Sequence, residues 1–223
     1  MQGNIRKGIL HLFIVITICF GMLTTGFAQA NNGNKRNILF FGDSITAGLG
    51  VGENNAYPAI IQQKIDSLGW NFNVINGGLS GETSTDGLHR IGWMLQRKIS
   101  VFVLELGGND GLRGINLDLT KRKLQGIIDS VKTHYPKAKI IIAGMQVPPN
   151  LGQKYTTQFK DLYPSLAKRN HAVLIPFILK GVGGVPRLNQ TDGIHPTKEG
   201  HKIVAETVWK TLKQVLEKIR DKS

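Results

Sequence analysis

Ile38-Leu39-Phe40-Phe41-Gly42-Asp43-Ser44 is the stretch of sequence that decides the fold. Four large apolar residues in succession predict a strand that is buried on both faces, and the glycine and two polar residues after them end that strand abruptly. Strands of this kind belong to parallel sheets whose faces are covered by helices. Further short apolar runs lie at 72–75, 101–106, 140–143 and 172–177. The sequence therefore predicts five strands.

Longer segments between and after these runs repeat apolar residues with the spacing of an α-helix. Three segments show this period clearly, at 57–68, at 119–133 and from Lys198 onward. In the first, the apolar stripe runs from Ile60 to Leu68. Strands that alternate with helices predict an α/β fold in which a parallel sheet lies between two helical layers. Ligands bind such sheets at the carboxyl ends of the strands, so the residues that follow each apolar run are candidates for chemistry.

The first thirty residues have the pattern of an export signal. A short positive start precedes a mostly apolar run at 9–23, and Ala28-Gln29-Ala30 is a small-x-small cleavage site. An uncleaved membrane anchor is the alternative, but the apolar run is shorter than the roughly 20 residues that a spanning helix needs. We expect residues 1–30 to be removed near Ala30, and residues 31–223 to be exported to a periplasm or to the medium as a single domain.

The chain is strongly basic. Its formal net charge is +13 at pH 7, and loss of Arg6 and Lys7 with the export signal leaves +11. The other Lys and Arg residues are spread over segments with helical periodicity, where a solvated helix face is the simplest explanation. We therefore expect no nucleic-acid partner and no obligate protein partner, while the charge favours peripheral contact with an anionic membrane surface. Cys19 is the only cysteine and lies in the predicted signal, so neither disulfides nor thiolate metal sites are expected.

Ser44 has the position expected of a nucleophile, because it follows a buried strand directly and its hydroxyl can be exposed at a sharp turn. The alternative is that Asp43 and Ser44 only cap a helix, which is a common role for these residue types. A nucleophile also requires a base, and Asp192-Gly193-Ile194-His195-Pro196 supplies a histidine and a carboxylate in one short loop. The sequence therefore predicts a catalytic triad of Ser44, His195 and Asp192.

Acyl transfer further requires hydrogen-bond donors for the oxyanion of the intermediate. Three candidates are the backbone N–H of Ser44 at a helix start, the backbone of Gly81 and the side-chain amide of Asn109 after the third strand. Glycine and asparagine are also favoured in loops for conformational reasons alone, so turn chemistry is the alternative explanation for Gly81 and Asn109.

Four blocks in the sequence carry a resemblance to a known family: Gly42-Asp43-Ser44, the segment around Gly81, Gly107-Gly108-Asn109-Asp110, and Asp192-Gly193-Ile194-His195-Pro196. In this order and spacing they resemble the blocks of SGNH, or GDSL, hydrolases, and in particular members that act as thioesterase, arylesterase and lysophospholipase. The resemblance implies a three-layer α/β/α, flavodoxin-like fold with a five-stranded parallel sheet. It also implies the roles of nucleophile, general base and orienting carboxylate, and of three oxyanion donors, for Ser44, His195, Asp192, Gly81 and Asn109.

The activity that this resemblance implies is hydrolysis of carboxylic esters or thioesters through an acyl-enzyme, with a small-molecule ester or lipid as substrate. Neither a metal nor an organic cofactor is expected. A carbohydrate O-acetylesterase that acts on polysaccharide or peptidoglycan is the alternative, because the family uses the same machinery for both substrate classes. A nucleotide-binding module is a non-enzymatic alternative, but Gly48-Leu49-Gly50-Val51-Gly52 does not fit the Gly-x-Gly-x-x-Gly spacing.

Overall fold

The computed structural model describes residues 35–221, and their centre is a parallel sheet of five strands. The strand order is β2-β1-β3-β4-β5. The strands are β1 (Arg36–Gly42), β2 (Phe72–Gly78), β3 (Ile99–Glu105), β4 (Lys139–Ala143) and β5 (Val173–Ile175). The predicted five-stranded parallel sheet is confirmed, and its order is that of flavodoxin-like folds.

Helices cover both faces of this sheet. Within the described residues they are α1 (Ser44–Ala47), α2 (Tyr57–Ser67), α3 (Ser84–Met94), α4 (Gly108–Leu112), α5 (Leu117–His134), α6 (Gln153–Asn170) and α7 (Lys198–Arg220). Helix α2 packs against α7, whereas α5 packs against both α3 and α6. These two groups form the layers on opposite faces of the sheet, so the predicted α/β/α layering is also confirmed.

The sheet is built around β1, which pairs with β2 on one side and with β3 on the other. Its apolar residues from Ile38 to Phe41 are completely buried, and they belong to one continuous hydrophobic cluster that includes residues of every strand. The register aligns Gly42 with Gly78 and with Glu105. The three strands therefore end at the same level, and the loops that follow them meet at one edge of the sheet.

Two long helices lie in segments that the sequence pattern does not single out. Helix α3 contains Gly87 and Gly92, and α6 contains Pro164; these residues lower helix propensity. Helix α3 is stabilised at its start by a capping box, in which the side chains of Thr83 and Asp86 each accept a hydrogen bond from the other residue's backbone N–H. Packing on the sheet and capping therefore outweigh the weak local preference.

The predicted apolar stripe of α2 is only partly correct. Ile61 and Ile65 are completely buried, but Leu68 is 47% exposed. The helix ends at Ser67, so Leu68 lies beyond the face that packs on the sheet. The prediction that Leu68 belongs to the core is wrong.

The predicted export signal and its cleavage site near Ala30 lie outside the described residues. Among residues 35–221, no helix is both long enough and apolar enough to cross a membrane. The assignment of 31–223 to a single domain stays a prediction.

Candidate active site

Ser44 lies at the sharp turn between β1 and α1. The strand ends at Gly42 and the helix begins at Ser44, so one residue separates them. That residue, Asp43, caps the helix through a hydrogen bond from the backbone N–H of Ile45 to its Oδ1 atom at 3.1 Å. A Cβ atom on Gly42 would overlap Thr46 and the backbone of the neighbouring strand, so only glycine fits there. This close packing places the Ser44 hydroxyl at the carboxyl edge of the sheet.

The histidine loop, Asp192–His195, lies opposite this turn. Gly193 has a φ of 72°, in the left-handed region that favours glycine. The tight turn lets Oδ1 of Asp192 accept hydrogen bonds from the backbone N–H groups of Ile194 (2.8 Å) and His195 (3.0 Å). The Nδ1 atom of the His195 ring lies 2.6 Å from Oδ2 of the same carboxylate. Asp192 therefore fixes both the backbone and the ring of His195.

The hydrogen bonds of the histidine loop also set the charge of Asp192. Desolvation is the largest single influence and raises the pKa of Asp192, but it is outweighed by the hydrogen bonds from the backbone N–H and the ring of His195 and from the backbone N–H of Ile194. Together with the charge of His195 they lower the pKa to about 2. The side chain is 42% exposed. Asp192 is therefore ionised at neutral pH, and its carboxylate accepts a hydrogen bond from the Nδ1 proton of the imidazole.

The structure brings the three predicted triad residues together. The Oγ atom of Ser44 lies 2.8 Å from Nε2 of His195, and Ser44 itself is only 7% exposed. When Nδ1 donates to Asp192, Nε2 carries a lone pair and accepts the hydrogen bond from the Ser44 hydroxyl. This is the geometry in which a histidine can remove the proton of a serine that attacks a carbonyl group.

The other two predicted oxyanion donors, besides the Ser44 N–H, follow neighbouring strands: Gly81 lies in the loop after β2, and Asn109 lies in α4 after β3. Gly81 has a φ of 82°, and nothing lies within 4 Å of the point that a Cβ atom would occupy, so the left-handed backbone, rather than crowding, requires glycine. The side-chain amide of Asn109 donates to the backbone carbonyl of Glu82 at 3.0 Å. Arg113 donates to the carbonyl of Gly81 at 3.1 Å. Two side chains from the β3–α5 connection thus hold the Gly81 turn in place.

Two buried carboxyl groups below Ser44 are absent from the predicted site. Asp43 is 2% exposed and Glu105 is completely buried. Thr46 donates to Oε2 of Glu105 at 2.6 Å, whereas Oε1 has no hydrogen-bond partner within the described part of the chain. Burial raises the pKa of Asp43 to about 6, and burial together with the charge of Asp43 raises the pKa of Glu105 well above its usual range. Burial and the neighbouring Asp43 thus both favour the protonated form of Glu105.

Asp110, the last residue of the third sequence block, also has a role that the sequence does not reveal. Its side chain accepts hydrogen bonds from the backbone N–H and the hydroxyl of Ser84, and from the hydroxyl of Thr120 at 3.0 Å. It thereby joins the starts of α3 and α5. The one signal in the sequence is a charged residue in the short polar segment after the third apolar run, and such a residue also fits an ordinary turn.

The other histidines within residues 35–221 form no hydrogen bond with Ser44 or Asp192. His201 is buried in α7, and its Nδ1 atom accepts the backbone N–H of Tyr57 at 3.2 Å. Burial, with a smaller contribution from His195, lowers the pKa of His201 to about 4, so the ring is neutral. Among residues 35–221, no group of three or more His, Cys, Asp or Glu side chains has the geometry to hold a metal ion.

Apolar side chains are exposed in the loops around Ser44. Leu49 and Leu79 follow β1 and β2, Leu112 ends α4, and Ile194 lies in the histidine loop. Their exposed fractions are 44%, 51%, 40% and 38%. These four residues are called the apolar rim below. Exposed apolar side chains in the loops beside a candidate active site are typical of a binding surface for an apolar ligand.

This chain is similar in sequence and in fold to known proteins. Residues 40–203 match the GDSL-like lipase/acylhydrolase family. The chain belongs to this family. It is 38% identical over 180 residues to the esterase TesA of Pseudomonas aeruginosa, a match that covers 80% of this chain and 89% of that protein. It is 35% identical over 180 residues to the thioesterase 1/protease 1/lysophospholipase L1 of Escherichia coli K12, covering 80% of this chain and 84% of that one.

The solved structure of an esterase gives the same result for the fold. The psychrotrophic esterase EstA of a Pseudoalteromonas species, inhibited by monoethylphosphonate, superimposes with a TM-score of 0.77 at 27% identity, over 82% of this chain and 100% of that one. The family match includes every predicted site residue, from Ser44 to His195. The resemblance to GDSL hydrolases is confirmed, and as a member of this family the chain is a serine ester hydrolase.

Proposed function

We propose that this GDSL-like enzyme is an exported serine hydrolase that cleaves carboxylic esters and thioesters, of arylesterase, acyl thioesterase and lysophospholipase type, through an acyl-enzyme. The observation that carries the proposal is the pair of distances from Nε2 of His195 to Oγ of Ser44 (2.8 Å) and from Nδ1 to Asp192 (2.6 Å). Nucleophile, base and orienting carboxylate are within hydrogen-bond reach of one another without any movement of the chain.

The roles follow from this geometry. Nε2 of His195 accepts the hydroxyl proton as Oγ of Ser44 attacks the substrate carbonyl, and the charge of Asp192 stabilises the imidazolium that forms. The imidazolium then gives its proton to the departing alcohol or thiol, which leaves Ser44 acylated. Water enters, His195 takes its proton, and attack on the acyl group releases the acid and restores Ser44. None of these steps requires a metal ion or an organic cofactor.

The tetrahedral intermediate in each half-reaction carries a negative oxygen. We assign its stabilisation to the backbone N–H of Ser44, the backbone N–H of Gly81 and the side-chain amide of Asn109. The anchoring of the Gly81 turn by Asn109 and Arg113 supports this assignment, because an oxyanion donor is effective only when it is held in place before the charge develops. Loss of one such donor costs about 2.7–4 kcal/mol in the barrier.

The apolar rim supports an acyl or aryl substrate rather than a sugar ester. Leu49, Leu79, Leu112 and Ile194 expose carbon surface beside the nucleophile, and a polysaccharide would need polar groups at these positions. The named activities of the two similar bacterial enzymes, esterase and thioesterase/lysophospholipase, agree with this choice. We therefore propose a small-molecule ester or lipid as the substrate.

A series of p-nitrophenyl esters from acetate to palmitate tests the activity. We expect the unmodified enzyme to prefer medium or long chains, and Ser44→Ala to lower kcat/KM by roughly 10⁴-fold or more. Ser67→Ala, which removes an exposed hydroxyl at the end of α2, is the matched control and should leave the rate unchanged. Activity confined to acetate would favour the carbohydrate O-acetylesterase, and activity that survives Ser44→Ala would exclude the proposed mechanism.

The covalent step has its own test. Incubation with an alkylphosphonate ester should add one phosphonyl group, detected by mass spectrometry on the peptide that contains Ser44, and Ser44→Ala should abolish the adduct. A peptide adduct at another residue would contradict the assignment of the nucleophile.

Export is tested separately by expressing the full chain and sequencing the N-terminus of the protein found outside the cytoplasm. A start at Asn31 is the expected result, because Ala28-Gln29-Ala30 is the predicted cleavage site. A membrane-bound product that keeps residues 1–30 would favour the uncleaved anchor.

A further inference from the structure

The edge of the sheet opposite Ser44 contains a cavity of about 610 Å³. It lies among the first residues of β1, β3 and β4 and the ends of α5 and α7. Six of its twelve lining residues are basic or histidine: Arg36, Lys98, His134, Lys137, Lys139 and Lys218. Among the residues that the structure describes, no aspartate or glutamate contributes to this lining. A cavity with this composition attracts anions.

Four of these side chains are exposed lysines that form no ion pair within residues 35–221, namely Lys98, Lys137, Lys139 and Lys218. Lys64, by contrast, pairs with Glu206 at 2.6 Å. The positive charge of these four lysines is therefore not neutralised by the described part of the protein.

Attraction to the negative ends of helices accounts for only part of this clustering. Cations are favoured in the last turn of a helix, and Lys218 has such a position in α7. In contrast, Lys98 and Lys137 lie in the connections before β3 and β4, and Lys139 is the first residue of β4. Exposed lysines at these strand entrances around one cavity suggest an external anionic partner.

The same edge carries amphipathic aromatic residues. Trp93 is 68% exposed in the last turn of α3, and Trp70 lies under the guanidinium of Arg220, 4.7 Å from its ring centre. Tryptophan and arginine together are typical of surfaces that contact the headgroup region of a bilayer.

We propose that this basic edge docks on the surface of a bilayer that contains anionic phospholipid. The phosphate groups of the lipids neutralise the lysines around the cavity, and Ser44, at the opposite end of the sheet, faces away from the bilayer. In this orientation the enzyme acts on dissolved or released esters near the membrane rather than on lipids inside it. The proposal does not depend on the catalytic mechanism proposed above.

Vesicle co-sedimentation tests the docking. The protein from Asn31 onward, which contains the whole hydrophobic cluster, is mixed with phosphatidylcholine vesicles that contain or lack phosphatidylglycerol. We expect binding to the anionic vesicles alone, and its loss as ionic strength rises from about 0.01 M to about 0.5 M, where the Debye length is only a few ångströms.

Paired charge reversals distinguish this edge from the general charge of the protein. Lys98→Glu with Lys137→Glu should weaken binding to anionic vesicles by at least about tenfold, since each basic residue near such a surface contributes about fivefold. Lys154→Glu with Lys160→Glu makes the same change in net charge on exposed residues of α6 and should weaken binding much less. Both double variants should hydrolyse a soluble p-nitrophenyl ester at the unmodified rate.

Three outcomes would overturn the proposal. The first is equal binding to neutral vesicles, and the second is equal loss of binding in the two double variants. The third is binding to duplex DNA without binding to anionic vesicles, which would assign the basic edge to nucleic acid. Loss of ester hydrolysis in Ser44→Ala has no bearing on any of these results, so the two proposals fail independently.

Discussion

At the scale of single residues, the protonation state of Glu105 depends on the fold. It is completely buried, its Oε1 atom has no partner within residues 35–221, and its pKa is raised well above the usual range. The folded protein therefore holds a proton that the unfolded chain releases once the pH exceeds the ordinary pKa of 4.5. Stability from this group is complete below that pH and is lost as the pH rises toward the folded-state pKa.

We expect Glu105→Gln to remove this pH dependence, because the amide stays neutral and retains an oxygen that can accept the hydrogen bond from Thr46. The unmodified protein should lose up to about 1.4 kcal/mol of unfolding free energy for each pH unit between the two pKa values, relative to the variant. Urea denaturation at about pH 5 and about pH 8 measures the difference. A difference between the two proteins that is the same at both pH values would show that Glu105 is ionised in the folded state.

Asp192 allows a second prediction at this scale. Asp192→Asn keeps an oxygen for the backbone N–H groups of the histidine loop, but the new amide cannot accept the Nδ1 proton of His195. The imidazole then adopts the wrong tautomer, and kcat/KM for a p-nitrophenyl ester should fall by roughly 10⁴-fold with little change in stability. Asp161→Asn, at an exposed position of α6, is the matched control. A reduction of less than about tenfold would argue against the role assigned to Asp192.

At the scale of elements, the contact between α1 and β2 sets the position of the nucleophile. A Cβ atom on Gly78 would overlap the backbone of Ala47, whereas nothing lies within 4 Å of the same position on Gly92 in α3. We expect Gly78→Ala to destabilise the protein by about 1–3 kcal/mol through overpacking and to lower activity by displacing α1. Gly92→Ala should instead stabilise it by about 0.5–1 kcal/mol. Thermal unfolding and ester hydrolysis test both, and equal stability of the two variants would contradict the packing argument.

The same scale shows why some elements could be predicted from the sequence and others could not. The five strands are continuous apolar runs, because a central parallel strand is buried on both faces, and this signal is local. Helix α3 carries Gly87 because a Cβ there would contact Leu106, and its helical state depends on the capping box of Thr83 and Asp86. Packing of this kind involves residues far apart in sequence, so no local pattern reveals it.

The candidate site likewise contains residues that the sequence reveals and residues that it does not. Ser44, His195 and Asp192 are recognisable because each lies in a short polar segment whose neighbours restrict its backbone. Glu105 lies within an apolar run, where the sequence indicates only a strand, and its role depends on Thr46 from another element. Residues that support the site from below, such as Glu105, are therefore recognised only once the structure shows which elements lie next to each other.

At the scale of the whole molecule, the two edges of the sheet differ in charge. The Ser44 edge combines the apolar rim with acidic groups, whereas the opposite edge carries the lysines around the cavity. Like charges close together repel one another, and dissolved salt screens this repulsion within a Debye length.

We therefore expect the Tm of the protein from Asn31 onward to rise by roughly 2–4 °C, equivalent to about 1 kcal/mol for a domain of this size, when the salt concentration increases from about 0.01 M to about 0.15 M. The rise should be smaller in the Lys98→Glu, Lys137→Glu variant, because two of the mutually repelling charges are reversed. Scanning calorimetry provides the measurement, and a Tm that falls with added salt would show that attractive ion pairs dominate instead.

The histidine loop has a consequence for how the enzyme responds to stress. Its carboxylate and its imidazole are separated by two residues and joined by a hydrogen bond, so we expect the pair to stay intact when the loop shifts, while Ser44 is held at the start of α1 next to the buried strand β1. Warming or mild denaturant can thus separate the base from the hydroxyl without disturbing either half. We then expect catalytic activity to be lost at a temperature below that of unfolding and to return fully on cooling, because the short surface loop moves before the rest of the domain unfolds.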